Sequence, residues 1–222
     1  MHLPRESAAP QVRIRYGRYV VRRLRQAGHA ALADSLAKAT ATLKAAARAA
    51  EDAVENVEDA LADRDAADEA LDLAVQEARN HLAGRGLRAT DEAPYTDLFP
   101  NGIAYYTAAS LDEEERRYKE LRDRVEKHLP KTDAVRRSLV VAIDKGLKAW
   151  REGVVAVDEA RNAVSAATTG LARATDAWGR QVEKTYGALI QTLGRAGAES
   201  YFPRSRGAAK AQTPTPDLPP TT

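Results

Sequence analysis

Residues 143–178 read IDKGLKAWREGVVAVDEARNAVSAATTGLARATDAW, and this stretch decides the fold. From Ile143, steps of seven reach Trp150, Val157, Val164, Leu171 and Trp178. A second column on the same step holds Gly146, Gly153, Ala160, Ala167 and Ala174. Alternating steps of four and three, sustained this long, describe an α-helix with one buried seam and leave no room for the period of two that a strand requires. The large column interdigitates with whatever lies opposite, and the small column lets a neighbouring backbone come close. Each glycine costs about 1 kcal/mol relative to alanine in a helix, which close packing at those positions offsets.

Upstream, a partner pattern runs through Leu32, Leu36, Ala39, Leu43, Ala46 and Ala50. An inserted residue shifts the frame to Val54, Val57 and Leu61, and Leu71, Val75, Ala78 and Leu82 complete it. Arg64 and Asp68 interrupt the apolar run and read as a register-setting or partly exposed polar layer. Composition agrees with long helices. Of 222 residues, 45 are alanine and 30% are charged, against two Phe and one Met. A β-sandwich, barrel or Rossmann sheet needs more β-branched and aromatic residues.

The expected class is all-α, an elongated antiparallel helical hairpin or bundle with a small/large heptad seam. Residues 1–10 read as a flexible arm and 11–200 as a single elongated domain. Its helices are expected at about 11–27, 29–83, 111–129 and 132–196, the last spanning about 98 Å if straight. Pro130 separates the last two, and Gly28 breaks the first. Ser110-Leu111-Asp112-Glu113 has the spacing of a capping box, and Thr132 or Asp133 offers the next N-cap. Residues 201–222, rich in Pro and Thr, are expected to be disordered.

Charge is segregated. Residues 51–77 hold eleven acids against the lone base Arg64, and residues 13–48 hold nine bases against the lone acid Asp34. The net charge of +2 conceals this polarity. Folding the two long helical regions back about the 84–110 connection sets 51–77 against 117–143, which hold eight bases and four acids. The basic end then has no internal counterpart.

Catalytic motifs are absent: no Gly-x-Ser-x-Gly, no Gly-x-x-x-x-Gly-Lys, no His-Glu-x-x-His and no Glu-x-x-His. With no cysteine and four dispersed histidines, neither metal nor cofactor is expected. Trp150 and Trp178, on the seam, read as core anchors. The candidate binding residues are Arg13, Arg15, Arg18, Arg22, Arg23 and Arg25, whose guanidinium forks match phosphate or carboxylate. The 84–110 connection carries Tyr95, Phe99, Tyr105 and Tyr106, a candidate contact surface at the tip or a plug closing the hairpin. Pro100-Asn101-Gly102 within it reads as a tight turn.

Leu98-Phe99-Pro100-Asn101-Gly102, with Trp178, Tyr186-Gly187-Ala188-Leu189 and Tyr201-Phe202-Pro203, resembles bacterial all-helical proteins without an assigned activity. The likeness covers about residues 84–203. It implies a long helical fold and supplies no ligand or residue role. No run of about 18 apolar residues occurs, and Met1–Glu6 lacks a signal-peptide core, so a cytoplasmic location is expected. The functional expectation is a non-catalytic scaffold or protein-interaction module, self-association included. The alternative is binding of nucleic acid or an anionic membrane through the basic segment.

Overall fold

The computed structural model describes residues 3–5 and 7–203; part of the expected arm and the expected tail from residue 204 onward lie outside the described residues. The protein is all-α. Its helices are α1 (Pro10–Gln26), α2 (Ala30–Ala83), α3 (Tyr95–Leu98), α4 (Ala104–Thr107), α5 (Leu111–His128) and α6 (Ala134–Glu199). Where the sequence suggests one domain, the chain divides into two compact units, residues 1–50 with 167–222 and residues 51–166. Each has its own apolar core.

In the first unit, Pro10 opens α1 at a position where its missing N–H costs nothing. Gly28 closes it with φ at 81°, so that the His29 amide reaches back to the Leu24 carbonyl and the Gly28 amide to that of Arg25. This paired closure needs a left-handed residue, which glycine adopts without a Cβ penalty. Ile14, Val20, Val21 and Leu24 then face Leu36, Leu43 and Trp178 in the core. Gly17 sets the depth of that contact: a Cβ there would run into Thr40 Oγ1 and stand 2.9 Å from the Trp178 indole nitrogen.

α6 breaks at Gly194, where φ 71° and ψ 172° leave the helical region. Beyond the break, Ala198 and Phe202 enter the same core, and Phe202 meets Tyr16 and Tyr186 ring to ring. The expected disordered tail therefore starts too early at 201. Phe202 is 2% exposed, and the Tyr201 hydroxyl lies 3.2 Å from His29 Nε2. An aromatic pair following a helix break is enough apolar surface to hold the chain.

In the second unit, Leu71 of α2 lies against Gly146 of α6, and Arg64 against Gly153. Seven residues up one helix match seven down the other, so this pair is antiparallel. The expected pairing of 51–77 with 117–143 gives way to this register. α5 instead runs parallel to α2, with Tyr118 bonded to Asp72 and Glu114 beside Asp68. Its antiparallel neighbour is α6, through Arg122–Asp144 and Arg151–Glu115. The connection 84–110 makes this possible by returning along α5. Asp97 sits by His128 at one end of α5, and the Tyr105 carbonyl accepts from Arg117 near the other. Burial outweighs charge here: Leu98, Phe99 and Tyr106 are buried where the connection packs on α5, whereas exposed charge pairs contribute about 1 kcal/mol or less.

Local ends follow the sequence in part. Asp133 caps α6, accepting from the Val135 amide at 2.9 Å and from Arg85 at 2.8 Å. Asp133→Ala removes both bonds and is expected to cost about 1–2 kcal/mol, read from chemical denaturation. The capping box at Ser110 does not form. Glu113 turns to Arg116 and Arg117, and the Ser110 hydroxyl bonds to Asp112, holding that carboxyl below its usual range. Val54 leaves the expected seam, 49% exposed, and Ala53 takes its place in the interior.

Candidate functional site

The basic segment becomes a cleft. α1 and the first turns of α2 are joined by the short Gly28 turn, and Gly17, midway along α1, lets them approach closely at Thr40. Between them lies an open cavity of about 540 Å³. Ile14, Val21, Ala37, Thr40 and Ala41 line it, and Arg18, Arg22, Arg25 and Lys44 supply its charge. The floor is firm. Ile14 and Val21 belong to the core, and buried Thr40 donates to the Leu36 carbonyl at 2.8 Å while accepting from the Trp178 indole at 3.3 Å.

The spacing of the arginines explains this division. Residues 14, 18, 21, 22 and 25 share one flank of α1 at steps of three and four. Ile14 and Val21 stand at the edge of the buried face, and the arginines lie one position further toward solvent. Their charges meet little inside the protein. Arg25 is paired with Asp34 at 3.2 Å, but both side chains are more than half exposed, so water screens that bond. Arg18, Arg22 and Lys44 form no ion pair among the described residues. Arg15 continues the stripe outward, fully on the surface.

Two of the six candidate arginines fall elsewhere. Arg13 is 8% exposed and donates to the carbonyls of Arg5 and Ala8, which ties the arm to α1. Arg23 is exposed on the opposite flank with Val12 and Tyr19. Lys44 joins the site from α2. It belongs to the basic segment, but only the α1–α2 packing sets it on the same cavity as Arg18.

The aromatic connection is occupied internally. Tyr106 is 1% exposed, its hydroxyl donating to the Leu98 carbonyl at 3.0 Å, and burial pushes its pKa up to about 12. Phe99 meets Tyr95 and Tyr106 ring to ring. Tyr105 donates to Glu120 at 3.0 Å and lies under the Arg117 guanidinium. Tyr95 accepts from Arg79 at 3.3 Å. These four residues fasten the connection to its own unit, with Phe99 and Tyr106 buried and Tyr95 and Tyr105 half-buried. The cluster runs along α5, from Tyr95 beside Arg79 near the end of α2 to Tyr105 beside Glu120 and Arg117.

One acid at the start of α5, which the sequence sets with Asp112, Glu113 and Glu115 against the helix dipole, is buried instead. Glu114 is 4% exposed in the second unit, and its Oε1 has no hydrogen-bond partner. Burial, then a hydrogen bond to Asp68 and the charge of Asp68, push its pKa up to about 8. The neighbouring Asp72 is also raised, by burial, although the Tyr118 hydroxyl donates to it at 2.5 Å. Asp68 was legible as a polar interruption of the seam; its carboxyl neighbour, 46 positions on, was not. Among the described residues, no three His, Cys, Asp or Glu side chains converge as a metal site, and no helix is long and apolar enough to cross a membrane. Compared with family models, curated proteins and solved structures, the chain matches none.

Proposed function

We propose that the protein is a non-catalytic helical interaction module, and that the α1–α2 cleft receives an acidic amphipathic helix of a protein partner. One observation carries this reading: Arg18, Arg22 and Lys44, without ion-pair partners among the described residues, surround an apolar floor made by Ile14 and Val21. A helix with carboxylates flanking small apolar residues uses both features at once, the floor for burial and the guanidinium forks for bidentate pairing. A phosphate backbone would use the charge alone. A membrane surface would favour apolar side chains projecting beyond the arginines, whereas here they lie beneath them.

A second reading has its own support. Arg15, Arg18, Arg22 and Arg25 form a stripe about 15 Å long on the outside of α1, a suitable length for successive phosphates.

The test compares binding of a labelled acidic amphipathic peptide and of duplex DNA to wild type and to the Arg18→Glu, Arg22→Glu, Arg25→Glu triple variant. All three side chains are exposed, so circular dichroism and melting temperature are expected to stay as in wild type. Peptide affinity is expected to fall by about tenfold or more, from the summed loss of three charge contacts. DNA binding with a steep salt slope, and no peptide binding, would favour the phosphate reading instead.

A further inference from the structure

The acidic half of α2 has the same unanswered character as the cleft, with the sign reversed. Glu51, Glu55, Glu58, Asp65 and Glu69 follow one another at steps of four, three, seven and four on its outer face, and all are exposed. Among the described residues, only Asp65 of these is ion-paired, to its neighbour Arg64. Like charges at such spacings weaken a helix by a few tenths of a kcal/mol per pair, yet α2 runs through them unbroken. Val54, half exposed, lies at the edge of this face and adds an apolar contact.

We infer that the acidic helix received by the cleft is supplied by a second copy of this chain, the outer face of α2 around Glu51–Glu58 seating between α1 and α2 of its neighbour. The inference rests on the cleft being a helix-binding site and adds the identity of the occupant. The argument is complementarity. Arg15, Arg18, Arg22 and Arg25 repeat at three, four and three, and Glu51, Glu55 and Glu58 at four and three. Two helices meeting along their length bring such rows into register at about 5 Å intervals. Val54 is then available to the floor of Ile14 and Val21. One copy carries both surfaces, so each chain offers a cleft and a helix, and the contact either closes as a two-fold pair or propagates.

Sedimentation of the full chain tests this at about 50 mM and about 500 mM salt, since exposed charge contacts are screened at the higher value. Wild type is expected to associate at low salt and to dissociate at high salt. Arg18→Glu/Arg22→Glu and Glu55→Arg/Glu58→Arg are each expected to be monomeric alone and to recover a complex when mixed. Glu55→Gln/Glu58→Gln, which only neutralises the face, is expected to weaken association without the risk attached to reversed charge in α2. A monomeric wild type at low salt overturns the inference, as does association that neither variant changes. Those outcomes leave the cleft itself to the labelled peptide: if the peptide binds a monomeric wild type, the interaction site stands and only its occupant is wrong.

Discussion

Gly153→Leu is expected to destabilise the protein by about 3 kcal/mol or more, the upper end of what overpacking a close contact costs. A Cβ at Gly153 would stand 2.9 Å from both Cα and Cβ of Arg64 and 3.3 Å from its amide nitrogen. Backbone cannot turn aside as a flexible side chain can. The strain is relieved only if α2 and α6 separate, which uncovers Leu71, Ile143 and Leu147 nearby. Gly146 is limited differently, because its added carbon would meet Leu71 at 2.5 Å and Leu71 is fully buried. Gly170 is the control: nothing lies within 4 Å of its missing Cβ. Gly170→Ala is expected to raise stability by up to about 1 kcal/mol through helix propensity alone. Urea denaturation of the three proteins checks the assignment, and equal midpoints for Gly153→Leu and Gly170→Ala would mean that α2 does not pass α6 at Gly153.

Glu114→Gln is expected to stabilise the protein at alkaline pH and to change it little in acid. Folded Glu114 holds its proton up to about pH 8, whereas its ordinary value is 4.5. Between those values the folded chain binds a proton that the unfolded chain has released, so stability falls as pH rises. The contribution is fully present below about 4.5 and is lost on passing through about 8. Above that, a buried carboxylate faces Asp68 and Asp72 from α2, with Tyr118 and Trp150 beside it. Gln keeps the shape, can donate to Asp68 and does not ionise. The gain at pH 8.5 should be on the order of a few kcal/mol, shrinking toward zero at pH 4. Carboxyls held low by arginine, such as Glu120 beside Arg124, oppose this trend in both proteins and cancel in the comparison. Melting temperature against pH for the pair is the measurement; parallel curves would show that Glu114 ionises normally.

What could be read along the chain was whatever depends on near neighbours. The 4-3 rhythm from Ile143 to Trp178 placed α6 and the two ends of its buried face, Ile143 to Val157 and Ala174 to Trp178. Between them Ala160, Val164, Ala167 and Leu171 are only half-buried. Helical periodicity is set by the backbone itself, but what covers it is not. Gly28 and Pro130 marked the breaks between helices for the same local reason. Gly146 and Gly153 announced a close approach, since a glycine in mid-helix loses propensity that only packing returns.

Tertiary structure alone decided which faces met. Charge suggested one pairing of α2, but screened surface charge is weak beside the burial of Leu98, Phe99 and Tyr106. Covering those side chains turned the 84–110 connection back along α5 and reversed the direction in which α5 meets α2. Packing within the second unit brought Glu114 to Asp68, and packing of α1 on α2 in the first set Lys44 and Arg18 on one cavity, pairs far apart in sequence with no shared period to reveal them. Periodicity states that a helix has an inside; the identity of what lies there depends on how the remaining apolar surface is removed from water.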